Sequence, residues 1–126
     1  MKLFTLLLTA LFFISCEGNT DEIFNVSNNT NSEITLKFEN PVLAIDSLQY
    51  IGIGETKEIA FLSFLGGNSN ARGPIIFDTV TVYNSTDTMI TNFVFEQNWI
   101  LESKQEKKFP SSYKHTHSLT ITNSDF

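Results

Sequence analysis

Cysteine occurs once in this chain of 126 residues, at position 16, so no intrachain disulfide can hold the fold. Proline and glycine are also sparse, at three and six, which excludes collagen-like and low-complexity architectures. Basic residues are few: eight lysines and arginines face fourteen acids, for a formal net charge of −6. Such a chain is poorly matched to nucleic acid or to anionic headgroups, and its charge serves mainly solubility. No apolar run reaches the roughly 20 residues of a bilayer-spanning helix. The local signatures of common chemistries are missing as well: no phosphate-binding loop, dinucleotide fingerprint, paired zinc cysteines, EF-hand loop or nucleophile elbow. Gly66-Gly67 lacks both the Lys-Ser/Thr and the helix that a phosphate cradle needs. No cofactor and no catalytic residue is assigned, and a non-catalytic protein is the expectation.

The longest apolar stretch opens the chain. Met1-Lys2 precedes the run from Leu3 to Ile14, which ends at Ser15 and the lone Cys16. As a helix this run covers about 18 Å, short of the roughly 30 Å hydrocarbon core. A positive start, a short apolar core and a small residue before the break are the parts of a secretory signal. Phe13-Ile14-Ser15-Cys16 resembles the lipobox of bacterial lipoproteins, with phenylalanine where leucine is commoner. The resemblance implies diacylglyceryl transfer to the Cys16 sulfur, cleavage before Cys16, and acylation (palmitate or a similar chain) of the new amine. Several acyl chains on one residue give stable attachment, where a single chain holds only marginally.

The expected organisation is a signal peptide over 1–15, the lipidated cysteine and a tether over 16–22, and one β domain over 23–126. The implied location is the cell envelope, lipid-anchored at the outer membrane on its periplasmic or surface face. Glu17 is not the aspartate that retains enterobacterial lipoproteins at the inner membrane. Glu17, Asp21 and Glu22 loosely resemble the acidic export signals of Bacteroidetes-type surface lipoproteins; the other reading is a solvated linker. If Cys16 carried no lipid, a soluble secreted inhibitor would be the remaining option.

Beyond the tether, hydrophobic alternation predicts strands. Ile23–Val26 is β-prone, and Asn28–Ser32 is a turn cluster. Ile34, Leu36 and Phe38 alternate with Thr35 and Lys37, the period-two mark of a half-buried strand. Asn40-Pro41 breaks it. Residues 42–48 fit either an irregular strand or a helical turn. Gln49–Ile53, Lys57–Phe64, Ile75–Tyr83 and Thr88–Glu96 read as further strands, with Gly66–Asn70 the most flexible loop and Asn84–Asp87 a turn. Trp99 and Leu101 fit a short strand, and the mixed charges of 102–108 a solvated hairpin loop. The last strand is the clearest, with Tyr113, His115, His117, Leu119 and Ile121 on one face.

Seven or eight short strands without an amphipathic helix argue for an all-β fold, a small antiparallel β-sandwich of the immunoglobulin-like or transthyretin-like kind. With no disulfide, its abundant phenylalanines are expected to fill the layer between the sheets.

Two constellations carry possible chemistry. His115-x-His117 puts two imidazoles on one strand face, where both could reach a metal ion. A third ligand would have to come from Asp78, Asp87 or Asp125; otherwise the histidines simply share the face with Tyr113, Leu119 and Ile121. With only two histidines in the chain, no metal is assigned. The second constellation is Asp46-Ser47-Leu48, Asp78-Thr79-Val80 and Asp87-Thr88-Met89. Each resembles the Asp-Ser/Thr-apolar acceptor of the general O-glycosylation system of Bacteroidetes-type bacteria, which implies Ser47, Thr79 and Thr88 as attachment candidates. The alternative is turn chemistry. Asn25, Asn28 and Asn84 begin eukaryotic-type sequons that read as Asn-rich turns.

The closing segment from Tyr113 to Phe126, together with Phe77–Tyr83, resembles strands of small Bacteroidetes-type lipoproteins, a group with no assigned activity. The expected function is a non-catalytic β domain, tethered to the membrane by lipid, that binds an envelope protein or a glycan and no nucleic acid. The alternative is a small carbohydrate-active or metal-dependent protein that uses the His115/His117 face.

Overall fold

The computed structural model describes residues 17–40, 45–73, 79–86, 88–90 and 99–126. Cys16 with the signal segment, Asp78, Asp87 and the expected strand residues 75–78 and 91–96 lie outside the described residues. Eight strands follow in order: β1 (Asn19–Asn29), β2 (Ile34–Asn40), β3 (Ile45–Ile51), β4 (Thr56–Leu65), β5 (Thr79–Tyr83), β6 (Thr88–Ile90), β7 (Ile100–Lys108) and β8 (Ser111–Thr122). A short 3-10 turn over Asn123–Asp125 closes the chain. Among the described residues no helix is long and apolar enough to cross a membrane.

The strands form two four-stranded sheets, β4-β1-β8-β7 and β3-β2-β5-β6. Both contribute to one apolar core: Phe24 and Val26 from β1, Leu119 and Ile121 from β8, and Ile34, Leu36, Ile51, Val80 and Val82 from the facing sheet. The fold is the expected all-β sandwich. Five of its strand pairings are antiparallel, and one, β1 with β8, is parallel. That parallel pair brings the two ends of the domain together at the centre of a sheet. The first two strands share a sheet in the constant-type immunoglobulin order; here they fall in different sheets.

Strand β1 starts at Asn19, four residues before the expected domain boundary. Its side chains alternate strictly, with Thr20, Glu22, Phe24, Val26 and Asn28 all facing inward and buried. Residues 19–22 therefore belong to the sheet and not to a tether. Gly18 is already fixed: a Cβ there would overlap the carbonyl oxygen of Ser111, so only glycine permits this approach of the chain to β8.

The residues 102–108, expected as a loop, form most of β7. All nine residues of this strand are exposed: it lies at the sheet edge, and both of its faces are open to solvent. Alternating Glu and Lys suit that position, since charge blunts an edge against pairing with other chains. The sequence carries the polarity of a loop for the reason that the strand has only one partner.

Among the described side chains the core is less aromatic than expected. Of the phenylalanines with described side chains Phe24 is buried in it and Phe126 packs against it; Phe61 and Phe109 are exposed, at 53% and 83%. Phe77, Phe93 and Phe95 lie outside the described residues. Among the described residues branched aliphatic side chains make up most of the layer, which suits two facing pleated surfaces. Each fully buried one contributes about 1.5–3 kcal/mol.

Candidate functional site

The inner face of the β4-β1-β8-β7 sheet divides into two halves. Towards Asn29 and Thr122 it is apolar and covered by the other sheet. Towards Asn19 and Ser111 it is polar, built from Thr20 and Glu22 on β1 and His115 and His117 on β8. Parallel register sets Glu22 opposite His115 and Phe24 opposite His117. Because both strands are inward-facing at these positions, the four side chains are forced into one layer.

His117 lies flat on Phe24, with ring centroids 4.4 Å apart and planes 5° from parallel. Its Nε2 is 3.3 Å from Oε2 of Glu22, and the two side chains are 2% and 0% exposed. Such a buried carboxylate needs further donors. The backbone N–H of Arg72 donates to Glu22 Oε1 at 2.6 Å.

His115 is fully buried and engaged at both ring nitrogens. Nε2 is 2.8 Å from the backbone carbonyl oxygen of Asn68, and Nδ1 is 2.8 Å from Ser103 Oγ. A carbonyl can only accept, so Nε2 carries the proton, and in the neutral ring Nδ1 accepts from the Ser103 hydroxyl. The ring of Tyr113 stacks beside it, at 6.2 Å and 7°.

The cover over this polar half is the loop 66–73. It leaves β4 at Gly66, whose φ of +92° is accessible to glycine at little cost. Thr20 Oγ1 donates to the Gly66 carbonyl at 2.6 Å and accepts from the Asn68 N–H at 2.8 Å. The Arg72 guanidinium sits 3.8 Å over the Phe64 ring. Thr20, Glu22, His115 and Phe64 thus pin the segment expected to be the most flexible. Its glycines serve tight geometry, and its backbone polar groups replace water as partners for the buried side chains.

Between this loop and β7–β8 opens a cleft of about 420 Å³, lined by Ser69, Asn70, Ala71, Gly73, Trp99, Leu101, Ser103 and His117. Trp99 is 7% exposed and meets Phe24 edge to face, at 5.8 Å and 87°. Apart from His117, none of the described lining residues has an ionisable side chain. The cleft offers an apolar wall of Trp99 and Leu101 against hydroxyl and amide groups.

The other expected site residues fall elsewhere. Asp125 sits beyond the far end of β8, where its Oδ2 accepts from the Thr122 N–H at 2.7 Å and from Thr122 Oγ1 at 3.0 Å. It caps the final turn and is no third ligand for the histidines. Among the described residues no three His, Cys, Asp or Glu side chains form a group able to hold a metal ion. Ser47 lies within β3 opposite Phe38, Thr79 opens β5 opposite Glu39, and Thr88 opens β6 opposite Tyr83. The Asn84 turn is present, with the Thr86 N–H donating to Asn84 Oδ1 at 2.9 Å.

Asn28 is 1% exposed. Its Oδ1 accepts from the N–H and Oγ1 of Thr30, and its Nδ2 donates to the carbonyls of Ser32 and Ile51. It fastens the crossing from β1 to β2.

The residues missed from sequence are Thr20, Glu22, Asn68, Arg72 and Ser103. A signal existed for Glu22, which has the same parity as Phe24 and Val26 and so faces inward once β1 is extended backwards. No family model, curated protein or solved structure matches this chain.

Proposed function

We propose that this protein is a lipid-anchored, non-catalytic binding module of the bacterial cell envelope, holding a neutral glycan in the cleft beneath loop 66–73. The observation that carries the reading is the composition of that cleft: an aromatic and aliphatic wall faces hydroxyl and amide groups, with no Lys, Arg, Asp or Glu among the described lining residues. A sugar ring has the same duality, an apolar face and a hydroxyl rim, and no charge to neutralise. The cleft volume falls within the range of small-ligand sites. A peptide partner with charged side chains would find no Lys, Arg, Asp or Glu among the described lining residues.

The anchor part of the reading rests on the lipobox-like Phe13–Cys16 and on Cys16 being the sole cysteine. On this reading the cleft stands in the envelope, where glycans are abundant. O-glycosylation at Ser47, Thr79 or Thr88 belongs to the same compartment, and an intact mass equal to the bare lipidated chain would rule it out.

The test is binding of the mature chain to a panel of neutral and charged oligosaccharides. An Ala71→Trp variant fills the cleft from the loop side, at a residue that makes none of the hydrogen bonds of the buried histidines given above. Retention of neutral glycans by the parent chain, lost in Ala71→Trp, supports the reading. Equal retention by both variants, or preference for acidic glycans, contradicts it. The metal-dependent alternative would require His115 to surrender a partner at Asn68 or Ser103 to free a ring nitrogen.

A further inference from the structure

We infer that the end of the domain formed by Leu65 and the β7–β8 turn docks onto the bilayer and inserts Leu65 and Phe109 into its interfacial layer. The inference rests on the lipid anchor at Cys16 proposed above, and its geometry comes from how little chain separates that cysteine from the fold. Strand β1 begins at Asn19, and Gly18 is held against Ser111 with its carbonyl accepting from the Gly66 N–H at 2.7 Å. Only Glu17 remains between the lipidated residue and the fixed backbone. Two Cα–Cα steps from Gly18 to Cys16 span at most roughly 7.6 Å. A domain tethered this tightly cannot stand off from the headgroups; whichever surface surrounds Gly18 must meet them.

That surface carries the two most exposed large hydrophobic residues of the described chain, Leu65 at 86% and Phe109 at 83%. Leu65 pairs with Asn19 at the end of β4, and Phe109 lies in the turn between Lys108 and its register partner Ser111. Measured across β4-β1-β8-β7, the two lie within about three strand spacings, roughly 15 Å. Lys107 and Lys108 are exposed immediately beside Phe109. An aromatic ring flanked by lysines is the interfacial pattern: the ring enters the acyl boundary while the ammonium groups stay with lipid phosphates. Two acids lie near this end in sequence, Glu17 and Glu106; Glu106 is paired with Lys104 at 3.2 Å, which leaves Glu17 against Lys107 and Lys108. The chain as a whole is acidic. The bilayer attraction is therefore local and apolar, and it needs no anionic lipid.

The single cysteine makes the test direct. With Cys16 blocked by lipid, Leu65→Cys, Phe109→Cys and Ser124→Cys variants of the mature chain each carry one free thiol. Ser124 follows β8 at its far end, roughly 35 Å from Ser111. Each variant is labelled with an environment-sensitive fluorophore and reconstituted into phosphatidylcholine vesicles containing a nitroxide lipid quencher, and its intact mass is recorded. The expected result is quenching at positions 65 and 109 about threefold or more above that at 124. A lipidated Cys16 with equal quenching at all three positions overturns the docking proposal alone. An intact mass showing no lipid on Cys16 overturns the anchor reading, and the docking proposal with it.

Discussion

Glu22 and His117 face each other diagonally across the parallel β1–β8 pair, with 3.3 Å between Oε2 and Nε2 and neither side chain more than 2% exposed. Glu22 also accepts the Arg72 amide, so one carboxylate joins the first strand, the last strand and the covering loop. Only the His117 side of this contact lines the cleft, and removal of the contact has a calculable consequence.

Replacing Glu22 with alanine leaves the Arg72 N–H and the buried His117 imidazole without that acceptor. Breaking a buried pair from one side costs about 3–5 kcal/mol. Glu22→Gln retains an oxygen for the Arg72 amide and costs about 1 kcal/mol. Urea unfolding checks this through two midpoints at unchanged slope, with alanine well below glutamine. Equal midpoints would show that the carboxylate oxygen is not what holds the loop.

Thr20→Val keeps the shape of the side chain and removes both of its bonds to the loop. The expected loss is about 2 kcal/mol, one increment per bond. Hydrogen exchange gives the specific readout, because the Asn68 amide loses its acceptor and should exchange faster while amides of β2 and β5 do not. Uniform acceleration would mean global destabilisation without loop release.

Asn28→Ala deletes four hydrogen bonds at the β1–β2 crossing and leaves two buried carbonyls without the amide donor. A loss of about 3 kcal/mol is expected in chemical denaturation. Asn28→Asp keeps the acceptor towards Thr30 and loses the donors to Ser32 and Ile51, so it also destabilises. An Asn28→Asp variant as stable as the parent would contradict the assigned side-chain orientation.

Both His115 ring nitrogens have partners, which argues for a metal-independent fold. A metal present at 100 times its dissociation constant would add about 2.7 kcal/mol. Stripping it from a domain of this size would lower Tm by roughly 10 °C. Treatment with a chelator is expected to leave Tm unchanged to within about 1 °C. A drop near 10 °C, reversed by zinc, would restore the His115/His117 site as a metal centre.

The alternation of β8 was legible because Tyr113, His115, His117, Leu119 and Ile121 all fall on one parity. Their shared face is the inner one, with the two histidines, Leu119 and Ile121 buried. Glu22 shares the parity of Phe24 and Val26, but a charged side chain beside Asp21 reads as solvent-facing until its partners are known. Those partners lie 50 and 95 residues away, at Arg72 and His117. Strand β7 was hidden for the opposite reason. Its residues are chosen for solvent on an edge, so nothing in their pattern marks them as paired. Loop 66–73 carries the composition of a flexible connection, yet its backbone groups are taken up by Thr20, Glu22 and His115. Each miss has one cause: a long-range hydrogen bond or a sheet position overrode the local composition.

The central claim is that the cleft under loop 66–73 is the binding site for a neutral glycan. Amide chemical-shift mapping of the ¹⁵N-labelled mature chain during titration with neutral oligosaccharides tests it most directly. The account predicts saturable shifts confined to Ser69–Gly73, Leu101, Ser103, His117 and the Trp99 indole, absent in Ala71→Trp. Shifts located elsewhere, or shifts at these residues that persist in Ala71→Trp, would contradict it.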